Sequence, residues 1–323
     1  MTFGRVINST SMAVILGLAI LGSASAEERL KRIHHRQIHM GVQVRITLYA
    51  PDQATGDEAC EAAFAKIAAL EDVFSDYRPK SELNRLCGQA GGPPVGVSDE
   101  LLDVLARAAT IAERSDGAFD ATVGPYVRLW RESRRTGRPL PRKRWRKAAR
   151  RTGWESVAID ADAGTVQLLK PGMQLDLGGI AKGYALDAGL ELLRGVGMPR
   201  ALLSAGGDIA VGDPPPGRSG WRVRAWDADE EHAWLTVSNC GVSTSGDTEQ
   251  FVEIDGRLHS HIIDPRSGIR YGDPLLATIV APNAALSDAL ATACVVLGKD
   301  GSEQLLSQYP EVNADIRVAT APP

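Results

Sequence analysis

Three short groups of residues in this chain have types and spacings that could do chemistry. The first is Leu175-Asp176-Leu177-Gly178-Gly179-Ile180-Ala181-Lys182-Gly183, which reads as a strand, a glycine turn and a helix start. Unpaired backbone N–H groups at a helix start attract anions, and Lys182 adds a mobile positive charge. The segment does not match G-x-x-x-x-G-K-[ST], so it is no Walker A loop. A tight turn with glycines chosen for packing is the plainer reading. The second group is Asp288 and Thr292, four apart on a predicted helix and therefore on one face, with Leu286, Leu290, Ala293 and Leu297 on the other. A carboxylate and a hydroxyl are hard oxygen donors that suit Mg²⁺. Taken alone, Asp288 is more simply a first-turn acid favoured by the helix dipole. The third group is His259 and His261, two apart on one side of a predicted strand Leu258–Ile263 that runs into the turn Asp264-Pro265-Arg266-Ser267-Gly268. Two such imidazoles could hold zinc, but no third or fourth nitrogen or sulfur ligand is near. A histidine beside the turn can be a general base or a satisfied structural residue.

Other catalytic signatures are missing: the chain has no G-x-S-x-G, no H-E-x-x-H and no G-x-G-x-x-G. Gly206-Gly207-Asp208 is a turn with an acid, weak by itself, and His34, His35 and His39 read as solvated. The four cysteines (Cys60, Cys87, Cys240, Cys294) contain no C-x-x-C pair and are too few for a disulfide scaffold at 323 residues. Cys294 falls in an apolar helix pattern and reads as a buried thiol.

These residues need a scaffold, and the chain has the composition to build one. It is 44% hydrophobic and 24% charged, which excludes disordered and fibrous classes. Arg5, the apolar run Ser11–Gly22 and Ala24-Ser25-Ala26 together read as a secretory signal peptide over 1–26, cleaved after Ala26. The apolar run is about 12 residues, short of the roughly 20 that span a bilayer. A mature, exported chain of 27–323 with no integral membrane segment is expected. It would hold 35 basic and 40 acidic residues, a balance that gives no reason to expect nucleic-acid binding. The charge is unevenly spread, since residues 128–151 carry ten arginines and two lysines against Glu132 alone. That stretch could meet an acidic partner or anionic lipid, although a solvated helix and loop is the plainer reading.

Alternation predicts a strand over 42–49, and helical spacing predicts a helix over 58–74. Ser81 and Ser98 are helix caps, and Pro125 sits in a first helical turn. A hairpin is predicted at 156–160 and 165–169, then a strand at 173–177 and a helix at 180–194. Short strands follow at 201–204, 221–226, 234–237, 251–254, 258–263 and 276–280, and a helix at 283–297. No internal repeat and no linker is visible. Interspersed helices with strands clustered late indicate an α+β fold, one compact two-lobed unit with mixed sheets and flanking helices.

Read in order, the segments resemble the FAD:protein FMN transferases, the ApbE family. The matching pieces are Met40-Gly41; Phe74 to Pro79 with Ser81-Glu82-Leu83; Gly117-Ala118-Phe119-Asp120-Ala121-Thr122-Val123-Gly124-Pro125; and Leu175 to Tyr184. They continue with Ala205-Gly206-Gly207-Asp208, Ser243-Thr244-Ser245-Gly246-Asp247, His261 to Pro265, and Asp288 to Ala293. The resemblance implies FAD contacts at Met40, Tyr77, Ala118, Phe119, Asp120, Asp176, Lys182 and Ile262, with Tyr77 stacking on the flavin. It implies Mg²⁺ ligands at Asp288, Thr292 and the Gly179 carbonyl, a catalytic His261, and Lys182 supporting the same phosphate oxygens. Thr248 and Ser267 depart from the residues common at those places in the family, an aromatic and a threonine. The activity implied is transfer of FMN from FAD to a threonine of an exported acceptor flavoprotein, with AMP leaving. Respiratory sodium- or electron-transfer subunits are the acceptors the family suggests. Two alternatives stay open: a FAD pyrophosphatase giving FMN and AMP, and a flavin-binding accessory protein without turnover. The periplasm is the expected location.

Overall fold

In the computed structural model, residues 30–224, 234–246, 251–254, 257–270 and 274–319 are described. The expected signal peptide over 1–26, Thr248 and the side chain of His259 lie outside them.

The chain opens with strands β1 (Lys31–His39) and β2 (Val42–Ala50), paired antiparallel. Their turn is Met40-Gly41, left-handed at both residues (φ 52° and 75°), a twist that matches the strands it joins. Val44, Ile46, Leu48 and Ala50 point inward from β2 as the alternation demands. Helix α1 (Gln53–Phe74) starts at Asp52, which accepts from Thr55 N at 2.9 Å. It buries Cys60, Phe64, Ile67, Leu70 and Phe74 at helical spacing.

A smaller lobe follows. Ser81 caps α2 (Glu82–Gly88), and Ser98 caps α3 (Asp99–Arg114), which follows β3 (Val95–Gly96). Glu82 accepts from Ser98 N at 2.6 Å and ties the two caps together. Helix α4 (Gly124–Thr136) has Pro125 in its first turn and ends at a left-handed Gly137. The basic stretch continues as α5 (Arg142–Ala149), then β4 (Val157–Asp160) and β5 (Thr165–Leu168) form the expected hairpin. The three short strands pair in the order β3-β5-β4.

The chain then returns to the main sheet through α6 (Ala181–Gly195), β6 (Ala201–Ala205) and β7 (Asp208–Val211). The ribbon β8 (Trp221–Arg224) and β9 (Trp234–Val237) precedes β10 (Cys240–Gly246). A second ribbon, β11 (Phe251–Ile254) with β12 (Arg257–Ser260), leads to β13 (Leu275–Ala281), α7 (Ala284–Leu306) and β14 (Asn313–Val318). The main sheet has seven strands in the order β1-β2-β6-β7-β10-β13-β14, antiparallel throughout. Helices α1, α6 and α7 cover one face, sharing a core with Ile46, Leu48, Leu203 and Ile279. Trp221 and Val223 of the β8–β9 ribbon cover part of the other with Tyr49, Leu202 and Ile209. The fold is α+β.

Three expectations need correction. Residues 173–177 are not a strand: Leu175 N donates to Cys87 Sγ at 3.2 Å and Asp176 N to Ala121 O at 2.8 Å. Single bonds to side chain and loop replace a ladder, so apolar residues there mark burial and not pairing. Strand β12 ends at Ser260, so His261 lies in the bend beyond it, where Ile262 N donates to Ser260 Oγ. Helix α7 is not amphipathic about Asp288. From Ala284 to Val295 it is buried almost all round, Asp288 included, because it lies between α6 and the sheet. Cys294 is buried, as expected, and the four cysteines are unpaired.

Candidate functional site

A cavity of about 1170 Å³ lies where the two lobes meet, lined from both. All twelve candidate residues line it: Met40, Tyr77, Ala118, Phe119, Asp120, Asp176, Gly179, Lys182, His261, Ile262, Asp288 and Thr292.

At one end sits Lys182 on the first turn of α6. Its ammonium is 3.0 Å from Asp208 at the start of β7 and 3.4 Å from Asp288 on α7, and it donates to Gly178 O at 3.1 Å. Asp208 and Asp288 are 3% and 2% exposed, while the Lys182 side chain keeps 25%, and all three line the cavity. Burial works against charging Lys182, but Asp208 and Asp288 outweigh it and hold the ammonium above its ordinary value. Burial, followed by repulsion from Asp208, pushes the Asp288 carboxyl up to about 7 despite the nearby ammonium.

The helix start offers anions less than its sequence promises. Gly183 N already donates to Asp288 at 3.1 Å, Gly178 N to Asp176 at 2.8 Å, and Ile180 and Ala181 N to Leu177 O. The positive charge available here is therefore Lys182 more than the helix terminus.

The donor set fits a hard divalent cation. Asp288 carboxylate and Thr292 hydroxyl follow each other on α7, and Thr292 Oγ1 lies 3.4 Å from Ser245 Oγ. Gly179 passes so close that a Cβ on it would stand 3.0 Å from Thr292 Oγ1 and 3.2 Å from Phe119. A side chain there would push against the Thr292 hydroxyl and the Phe119 ring, so glycine lets this backbone lie close to Thr292. Two buried carboxylates around one ammonium are net negative when ionised, so an anionic substrate placed here needs a further cation. Among the described residues no cluster of three or more His, Cys, Asp or Glu could hold a metal. Donors of this kind would be hydroxyl and carbonyl oxygens beside carboxylates.

The other end is aromatic and basic. Tyr77 is 73% exposed, and the guanidinium of Arg131 lies 4.1 Å from its ring centroid. Arg131 also pairs with Asp76 and, at 3.2 Å, with Asp176. Burial and the Asp76 charge raise the Asp176 carboxyl above its ordinary value. With a cation against its ring and most of its surface exposed, Tyr77 lines the cavity as a candidate stacking platform. Ala118, Phe119 and Ile262 form a buried apolar wall, and Met40 lines the cavity from the β1–β2 turn. Asp120 lines the cavity, but its carboxylate accepts from Thr122 N at 2.7 Å and Trp154 N at 3.0 Å. Burial raises its pKa, and its acceptors are committed to the turn that carries Ala118 and Phe119. His261 packs near Trp130 of α4, ring centroids 6.4 Å apart.

Sequence reasoning missed Arg131, Asp76 and the partnership of Asp208 with Lys182. Arg131 was hidden in the basic stretch, where one arginine among ten has no distinguishing signal. Asp76 and Asp208 stand inside segments that were noticed, and only the pairing required the fold.

Comparison with known proteins gives one answer. The family model of the ApbE family matches residues 40–316. The FAD:protein FMN transferase of Treponema pallidum (strain Nichols) is 35% identical over 314 residues, 91% of this chain and 86% of that protein. The FAD:protein FMN transferase of Klebsiella pneumoniae (strain 342) is 31% identical over 280 residues, 85% of each. Among solved structures, the ApbE protein of Thermotoga maritima superposes with a TM-score of 0.78 at 28% identity, covering 90% of this chain and 97% of that one. The apo flavinyl transferase ApbE of Pseudomonas stutzeri gives 0.79 at 26% identity, covering 90% and 92%.

Proposed function

The chain belongs to the ApbE family, and we propose that it is a Mg²⁺-dependent transferase that moves FMN from FAD to a threonine hydroxyl of an exported acceptor flavoprotein, releasing AMP. The observation that carries this reading is one cavity with a stacking platform at Tyr77–Arg131 and a cation-and-oxygen cluster at Lys182, Asp208, Asp288 and Thr292. A dinucleotide with an aromatic ring at one end and a pyrophosphate in its middle matches that division.

In this reading Tyr77 stacks on the isoalloxazine, and Met40, Ala118, Phe119 and Ile262 exclude water around it. Asp176 and Asp120 keep that wall in place, the first through Arg131 and Gly178 N, the second through its turn. Lys182, held between two acids, keeps its proton and supplies a fixed charge to phosphate oxygens as the bond to AMP breaks. Asp288, Thr292 and the Gly179 carbonyl would hold Mg²⁺, which supplies charge neutralisation at the pyrophosphate. His261 takes the proton of the acceptor hydroxyl as its oxygen bonds to the FMN phosphorus, and in-line placement does most of the rest. The mature protein would be residues 27–323, working in the periplasm after loss of 1–26. Among the described residues no helix is long and apolar enough to cross a membrane.

The test is to incubate protein, FAD, Mg²⁺ and an acceptor flavoprotein, and to follow covalent flavin fluorescence in a denaturing gel. Labelled acceptor supports transfer, FMN and AMP without label means hydrolysis, and bound FAD without product means a binding module. His261→Ala should keep FAD affinity within about twofold while slowing labelling by roughly 100-fold or more. Loss of FAD binding instead would make His261 structural.

A further inference from the structure

We propose that the basic ridge formed by the end of α4 and by α5 is the docking surface for an acidic protein segment flanking the acceptor hydroxyl. This names the chemistry of the partner at the same site and rests on the transfer reading above.

The first observation is charge. Residues 128–151 carry twelve cations and one carboxylate, in a chain that is acidic overall. Arg138, Arg142, Lys143, Arg146 and Lys147 are exposed, and among the described residues none of them has an ion-pair partner. The ridge's own Glu132 is taken by Arg144 at 2.6 Å. Like charges so close repel, so the ridge opposes folding and needs another reason to be there.

The second observation is how little α5 gives the core. Ala148 is its one buried residue, with Trp145 stacked on Tyr126 at 5.9 Å. One apolar anchor holds the helix on the body and leaves the cations facing solvent.

The third observation is continuity with the cavity. Arg134 and Arg135 line the cavity, and Arg134 lies 5.4 Å from the Trp130 ring, which in turn neighbours His261. A segment whose hydroxyl reaches His261 therefore lays its flanking residues along the ridge. Arg138 and the α5 cations do not line the cavity, so FAD does not account for them. An acidic segment satisfies both the charge and the path.

The test uses the full chain loaded with FAD and the variant Arg142→Gln/Lys143→Gln/Arg146→Gln/Lys147→Gln. All four positions are exposed, and glutamine matches arginine and lysine in helix propensity. The probe is a fluorescent peptide with a central threonine flanked by aspartates, compared with the same peptide carrying asparagines, read by anisotropy at low and physiological salt. The aspartate peptide should bind the wild type in a salt-sensitive way, and the variant should bind it roughly tenfold or more weakly with a flattened salt response. FAD affinity should be unchanged. Equal binding of the peptide by both proteins would overturn the proposal, as would equal affinity for the asparagine peptide. Loss of FAD binding in the variant would assign the ridge to the nucleotide. Wild-type binding to phosphatidylglycerol vesicles without binding to the peptide would assign it to lipid. Peptide affinity is read without turnover, so it decides the docking question even if transfer itself fails.

Discussion

Lys182 is the residue on which the site depends most, because two carboxylates with almost no solvent contact face it. Removing one partner of a buried ion pair leaves an uncompensated charge, and here it would leave two. Lys182→Met should therefore lower stability by about 3–5 kcal/mol in denaturant titration. A loss under about 1 kcal/mol would show that water already reaches Asp208 and Asp288. Asp288→Ala acts differently, since Lys182 keeps Asp208 as a partner at 3.0 Å. That variant should stay folded and bind FAD, yet lose Mg²⁺-dependent turnover by roughly 100-fold or more. Unchanged turnover across a Mg²⁺ titration would remove Asp288 from the metal site. At this scale much was legible in the sequence, because Asp288, Thr292, Gly179 and Lys182 stand in short local patterns. The partners Asp208 and Asp76 were not, since their roles arise from contacts with residues far off in the chain.

The elements explain how α6 and α7 bring these residues together. The N-terminus of α7 is clamped by Asp187 of α6, which accepts from Ala284 N and Ala285 N at 2.8 Å each. Gly183 lets the helices touch, because a Cβ there would meet Ala284 O at 2.1 Å. The clamp fixes Asp288 one turn further on. Burial pushes the Asp187 carboxyl up to about 6, although both N–H donors work in the other direction. The sign follows from linkage: a carboxyl with a folded pKa above its unfolded value contributes stability below pH about 4, and loses it as pH rises toward 6. Asp187→Asn lacks this titration, so the stability of the wild type relative to the variant should fall as pH rises from about 4 to about 6. Thermal melts across that window would check it, and a constant difference would contradict it. Element signals were readable where a helix has one apolar face or a polar cap, as in α1, α2 and α3. They were weak in β1, an edge strand where Ile33 alone is well buried among exposed polar residues. They were absent in β10, whose small polar residues carry no strand pattern; inside the sheet Ser243 pairs with Ser287 at 2.8 Å and Thr244 with Thr278 at 2.9 Å. Local sequence does not disclose that such hydroxyls will be satisfied from another element.

At the scale of the molecule, a seven-stranded sheet with three helices carries the Lys182–Asp208–Asp288 end of the cavity, and a smaller helical lobe carries the basic ridge and the Tyr77–Arg131 end that is proposed to stack on the flavin. In the proposed reaction FAD is held across both lobes, and a protein hydroxyl replaces AMP on its FMN phosphorus. The direct measurement is a single-turnover reaction with FAD, Mg²⁺ and acceptor flavoprotein, scored for AMP by chromatography and for the acceptor by intact and peptide mass. The expected result is one AMP released per acceptor labelled, with FMN mapped to a threonine and no free FMN. AMP formed with free FMN and an unmodified acceptor would contradict it, as would an acceptor carrying intact FAD.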